Sequence, residues 1–164
     1  MTSLESGRYV CVRTGGFMGW LIRKATKSDY NHVFITGPAG ALIEARPDGV
    51  RLGHLTEYTG CLAAANVGEP MTGAQRAAVW AKAGELVGTW YNYPDIVALG
   101  LEDLGWHWRL LLHLARADKL LICSQAVAVC GTAAGLDWLC GEDNAAQVTP
   151  AMLALRPGVE PVAL

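Results

Sequence analysis

The chain is poor in charge. Only 17% of its 164 residues are Asp, Glu, Lys or Arg, against 52% hydrophobic. That balance excludes a disordered chain, which cannot bury enough apolar surface to offset its entropy. No basic run occurs and the net charge is −2, so the electrostatic footprint of a nucleic-acid-binding surface is missing. Also missing is any stretch of about 20 apolar residues that could span a bilayer. The longest uncharged run, Leu120 to Leu136, is interrupted by Ser124, Gln125, Gly131 and Thr132 and reads as a buried helix. The opening Met1-Thr-Ser-Leu-Glu-Ser6 lacks the basic and apolar segments of a secretory signal. The five cysteines, at 11, 61, 123, 130 and 140, are odd in number and form no Cys-x-x-Cys pair. A zinc site or disulfide framework is therefore not expected, and reduced thiols in a cytoplasm are. With no repeat, linker or low-complexity tract, residues 1–164 are expected to form a single domain.

What is present divides into a β-rich first half and a helical second half. Tyr9–Val12 alternates like a strand, and Phe17–Thr26 sets Trp20, Leu21, Lys24 and Lys27 at helical spacing. Tyr30–Thr36 is rich in strand formers, Gly37-Pro-Ala-Gly40 is a turn, and Ala41–Ala45 returns as a second strand. Asp48-Gly49 turns the chain again into Val50–Leu52, which suggests a meander of antiparallel strands. Thr72-x-x-Gln75 is a capping box that opens a helix stopped by Gly88. Further helices are expected from Pro94 to Gly105, Trp106 to Ala117, and Cys123 to Gly135, with a short one capped by Thr149-Pro150 and running to Leu155. The class is α+β: a small antiparallel sheet or incomplete barrel packed on helices.

Cys123 follows the apolar run Leu120–Ile122 and precedes small, helix-compatible residues. That pattern puts it at the first turn of a helix, where free N–H groups and the dipole favour a thiolate and an oxyanion. A lone cysteine is by itself more often packed than reactive, so a base is required. His32 and Glu44 supply one by geometry. If the hairpin loop is Gly37–Ala39, Thr36 pairs with Gly40 and His32 lies across from Glu44, with Cβ atoms about 5 Å apart. A two-residue loop would send the two side chains to opposite faces. Gly40 favours the three-residue loop, because it can take the left-handed position of a bulged turn. Cys123, His32 and Glu44 then have the types of a nucleophile, a general base and an orienting carboxylate.

A wider set of residues carries a family resemblance: Trp20-Leu-Ile22, Thr26, Ser28 and Tyr30-Asn-His-Val33; Leu42-Ile-Glu-Ala45, Gly49-Val50 and Tyr58; Gly88, Tyr91-Asn92, Ile122-Cys-Ser-Gln125 and Thr149-Pro150 with Leu153. In this order they resemble the permuted papain-like branch of the NlpC/P60 superfamily, the YiiX/YebB-like cysteine hydrolases. The resemblance implies a circularly permuted papain-like fold in which the histidine strand precedes the cysteine helix. It also implies Cys123 as nucleophile, His32 as base, Glu44 as orienting residue, and Tyr91 beside the substrate cleft. Ser124, next to the nucleophile, is the other candidate substrate contact. Arg8 and Asn31 depart from residues common in relatives and are candidates to alter substrate preference.

Other residues have plainer readings. His54 is expected in a surface loop, and His107 and His113 lack paired ligand spacing. Cys130, two turns along the helix from Cys123, is expected to be packed. The implied reaction is acyl transfer to water, with a peptide or an acyl amide or ester as substrate and no metal or organic cofactor. A peptidase or amidase, with bacterial cell-wall peptides as a candidate substrate as for many of the superfamily, is the first reading. A lipid-directed acyltransferase or thioesterase, as in the related lecithin:retinol acyltransferase-like branch, is the second. A binding module without turnover is the third, and the Cys/His/Glu set speaks against it. The missing signal sequence fits a cytoplasmic hydrolase, or a phage-encoded protein that reaches the wall by another route.

Overall fold

A computed structural model describes residues 4–46, 48–89 and 118–164. Six strands form one antiparallel sheet: β1 (Tyr9–Val12), β2 (His32–Thr36), β3 (Ala41–Arg46), β4 (Gly49–His54), β5 (Ala63–Ala65) and β6 (Glu160–Val162), in the order β4-β3-β2-β1-β5-β6. Four helices accompany it among the described residues: α1 (Gly16–Thr26), α2 (Gly73–Leu86), α3 (Asp118–Ala133) and α4 (Pro150–Ala154). The α+β class and the antiparallel meander of β2, β3 and β4 match the expectation. The helices expected over Pro94–Gly105 and Trp106–Ala117 lie outside the described residues, as does Tyr91.

Alternation along the strands gives the sheet two apolar faces. Tyr9, Cys11, Val33, Ile35, Ile43 and Ala45 pack against Val79 and Ala83 of α2 and against Cys123, Ala126, Val127 and Cys130 of α3. The four α3 residues repeat at i, i+3, i+4 and i+7, the stripe of a helix with one buried face. Val10, Val12, Phe34 and Leu42 point the other way and are covered by Tyr58, with Leu4, Val162 and Leu164 at the margin. Both faces are thus closed, although the sheet has two edges.

Local signals explain most boundaries. Thr72 and Gln75 make both bonds of the capping box, and Thr149 caps α4 by accepting from the Met152 N–H at 3.2 Å. At the far end of α3, Gly131 lies against Trp138. A Cβ there would stand 2.4 Å from Cδ2 of that ring, so only glycine lets the helix and the indole meet. Trp138 is fully buried, donates to Glu69 at 3.1 Å and meets Tyr9 edge-on at 4.9 Å.

The β2–β3 hairpin departs from the expected register. Ile35 pairs with Ile43, Thr36 with Leu42, and Gly37 N–H donates to the Ala41 carbonyl at 2.7 Å. The loop has three residues, as expected, but they are Pro38–Gly40. Ala39 and Gly40 take left-handed conformations with φ of 53° and 79°. Pro38 has no N–H to give to the ladder, so it belongs in the turn. The strands are offset by two residues from the expected pairing. An even offset keeps every side chain on its face. His32 and Glu44 therefore remain on one side but are diagonal neighbours.

Two strands are held at the opposite side of the sheet, where β5 joins β1 to β6. Beyond β4, the chain leaving α2 bonds to the outer edge: Gly88 N–H donates to Val50 at 2.9 Å, and Val50 N–H approaches the Thr89 carbonyl at 3.4 Å.

Candidate active site

Glu44 is buried and carries four side-chain hydrogen bonds. Its side chain is 0% exposed, yet it is ionisable, which requires compensation by partners. Oε1 accepts from Arg46 Nε at 2.8 Å and from Arg51, whose Nη2 is 2.6 Å away. Oε2 accepts from His32 Nε2 at 2.6 Å and from the Tyr58 hydroxyl. Strand geometry supplies the arginines. Arg46 is two residues along β3 and so shares the face of Glu44, while Arg51 on β4 is directly opposite. Arg51 also pairs with Glu57 at 2.5 Å, which balances part of the added positive charge.

His32 sits at the start of β2, between the two apolar clusters. Its ring lies 5.9 Å from that of Tyr58 at an interplanar angle of 26°, and 6.4 Å from that of Phe34. The side chain is 13% exposed. With Nε2 given to Glu44, a side-chain hydrogen bond to Cys123 falls to Nδ1. Burial disfavours charge on the imidazole, but the bonds to Cys123 and Glu44 outweigh it and raise its pKa to about 9. Burial likewise opposes charge on Glu44, but hydrogen bonds from His32 and Tyr58 and the nearby positive charges bring it down to about 2. Burial first, and then the facing carboxylate, push the Tyr58 hydroxyl up, so it stays protonated and serves as a donor.

The structure thus brings Cys123, His32 and Glu44 into one chain of contacts. Cys123 itself is 1% exposed. Beside it is a cavity of about 10 Å³ lined by Val33, Ile43, Val50, Leu86, Ala126 and Val127, among others, room for about one water molecule.

One expectation is corrected. Cys123 is not at the first turn, because the chain is already helical at Asp118, five residues before the cysteine. Its N–H there is directed at the carbonyl four residues back, so it is not one of the free donors at a helix start. Leu120–Ile122 continues the helix instead of leading up to it. Ser124, the other expected substrate contact, is fully buried, and its hydroxyl donates to the Val148 carbonyl. Arg8 and Asn31 are internal ties. Arg8 donates to the carbonyls of Asn66 and Glu69 at 2.7 and 2.6 Å. Asn31 accepts from Thr14 N–H at 2.9 Å and from Arg23 at 3.0 Å, which anchors α1 beside the histidine strand. His54 is exposed, as expected, but it is the last residue of β4 and not a loop residue; it caps the 3-10 turn Leu55–Tyr58 and contacts the Ala39 carbonyl at 3.2 Å. Cys130 is packed.

Arg46, Arg51 and Glu57 were not foreseen from the sequence, and Tyr58 was noted without a role. Glu44-x-Arg46 was the available signal for one of them, since residues two apart on a strand face the same way.

No family model matches the chain, and no curated protein matches it. Among solved structures it is similar to the metalloprotein yiiX from Escherichia coli O157:H7 (DUF1105). The TM-score is 0.61 and the identity 16%, and the match covers 97% of this chain and 96% of that one. The fold is therefore YiiX-like over nearly its whole length. The residues here do not fit a metal. Both Glu44 oxygens are occupied, two guanidiniums stand beside them, and no group of three or more His, Cys, Asp or Glu is placed to hold an ion among the described residues. No described helix is long and apolar enough to cross a membrane.

Proposed function

We propose that the chain is a cysteine hydrolase that works through an acyl-enzyme, as the resemblance to permuted papain-like proteins implies, and that its substrate is a peptide or other amide. One observation carries this reading. A single imidazole is shared between a thiol and a buried carboxylate that four neighbours keep ionised.

In this reading His32 takes the Cys123 proton through Nδ1, and the sulfur attacks the carbonyl carbon. Glu44 holds Nε2–H and stabilises the imidazolium, the task of the third member of any such set. The imidazolium then gives its proton to the leaving nitrogen, leaving a thioester on Cys123. Water, deprotonated by His32, attacks the thioester and restores the thiol. The oxyanion donor is a group other than the Cys123 N–H. The chemistry needs no cofactor.

A second reading, hydrolysis or transfer of a lipid acyl group, has the cavity beside Cys123 in its favour. Its apolar walls suit an aliphatic chain better than a peptide, although at about 10 Å³ its side chains must move to admit one.

The test is labelling with a panel of acyl electrophiles, some peptidyl and some lipidic, on the parent and on Cys123→Ala. Labelling of the parent that vanishes in the variant supports the nucleophile, and preference within the panel separates the two substrates. Labelling that survives in Cys123→Ala, or a parent that no reagent reaches, overturns the proposal.

A further inference from the structure

We propose that Tyr58 is a positioning residue of this site: its hydroxyl divides the Glu44 carboxylate between the arginines and His32, and its ring holds the imidazole in plane. The inference rests on the proposed hydrolase reading for its purpose, but its geometry stands alone.

Glu44 Oε1 takes both guanidiniums, and Oε2 takes His32 and Tyr58. The Tyr58 hydroxyl also accepts from Arg46 Nη2 at 3.1 Å. The phenol therefore links the cationic side of the carboxylate to the histidine side. By donating to Oε2 it competes with His32 Nε2–H for the same electron density, so that oxygen supports the imidazolium less strongly than it would unshared. A base held too firmly in its charged form returns its proton slowly, and shared acceptance moderates that.

The ring has a separate effect. Tyr58 is 4% exposed. Its face lies near-parallel to the imidazole at 5.9 Å, and it also contacts Phe34 at 4.8 Å. The imidazole is thereby confined on the side away from Cys123. Tyr58 lies at the end of a 3-10 turn whose start is fixed by the His54–Glu57 capping box, so part of what holds it lies outside the site it serves. Among the described residues, the ionisable groups around His32 are Glu44 and Arg46 on β3, Arg51 on β4, Cys123 on α3, and Glu57 and Tyr58 on this turn.

The test reads the His32 titration directly, by NMR of histidine-labelled protein, in the parent and in Tyr58→Phe. The variant keeps the ring and removes the competing donor. The expected result is an upward move of the His32 midpoint by roughly half a pH unit or more, with the alkaline limb of any thiol labelling moving alike. An unmoved midpoint overturns the proposal. Replacing tyrosine by 3-fluorotyrosine, which removes no atom that packs, tests the opposite sign. A more acidic phenol donates more strongly and should lower the midpoint, and a rise would refute the competition. Neither measurement needs turnover. If Cys123 fails the electrophile test while the midpoints move as stated, the hydrolase reading falls and the role of Tyr58 stands.

Discussion

Glu44→Gln is the sharpest perturbation of this site, because it changes charge and leaves shape almost alone. An amide has one accepting oxygen and one donating nitrogen. The Oε1 position faces two guanidiniums, which only donate. The amide oxygen must go there, and the NH₂ is forced to the Oε2 position against His32 and Tyr58. The Tyr58 hydroxyl can rotate to accept. His32 can accept at Nε2 only by moving its proton to Nδ1, the nitrogen that should receive the proton of Cys123. The variant therefore locks the wrong tautomer, a change that costs roughly ten-thousand-fold in kcat where a carboxylate-to-amide swap does this in a triad. Stability falls as well. Glu44 is held at about 2 against an ordinary 4.5, a gap equivalent to about 3 kcal/mol. Part of that is recovered because the arginines are 40% and 38% exposed and water screens them. The upper bound corresponds to a Tm lower by roughly 6–12 °C. The assay is the rate of acyl-electrophile labelling at Cys123 beside a thermal melt. A Glu44→Gln protein that melts several degrees lower but labels within about tenfold of the parent would refute the tautomer argument. It would reduce Glu44 to a structural anchor.

Three further outcomes follow from the same contacts. The Glu44 value lies below its ordinary 4.5, so its stabilising effect is complete above that pH and is lost as pH falls toward about 2. The His32 value is raised, so its share is complete below 6.5 and is lost as pH rises through about 9. Urea midpoints measured across pH should therefore form a plateau between about 4.5 and 6.5 that declines on both sides, and His32→Gln should remove the alkaline decline. Ser124→Ala strands the buried Val148 carbonyl and should cost about 1–3 kcal/mol in urea unfolding, while the pattern of reagents that label Cys123 stays the same. An altered pattern would restore Ser124 to the substrate surface. Gly131→Ala, favourable in an ordinary helix, should here destabilise by about 1–3 kcal/mol in the same assay because the new methyl group meets Trp138.

Residues with strong local rules were legible in the sequence, and residues defined by pairing were not. Thr72-x-x-Gln75 and Thr149-Pro150 announce helix starts by chemistry confined to four residues, and both occur. The three-residue turn and the left-handed Gly40 were readable, but Pro38 moved the turn by one position, because register depends on which N–H the ladder can do without. β5 is three alanines, a residue type with little intrinsic strand preference. It is a strand only because β1 and β6 lie on either side. β6 contains Pro161, which argues against a central strand and fits an outer one. That Cys123 lies inside α3 was not legible, because Asp118-Lys119 and the apolar run after it are as compatible with helix as with an approach to one. His32 and Glu44 could be joined from the hairpin alone. The arginines could not, because Arg51 reaches Glu44 through the register of a second hairpin.

The sheet is open by topology yet poorly suited to accept another strand. On the outer edge of β4 the residues Val50, Leu52 and His54 alternate outward. Val50 is bonded to Gly88 and Thr89, and the His54 N–H is given to Glu57 at 3.0 Å. Among the described residues Leu52 is the remaining rung, and one rung cannot template a ladder. Pro161 removes a donor from β6. Edge-to-edge growth into oligomers or fibrils, the usual hazard of an uncovered margin, is thus discouraged in part by the same His54–Glu57 corner that holds Tyr58. Loosening that corner should free the His54 rung beside Leu52 along with the tyrosine.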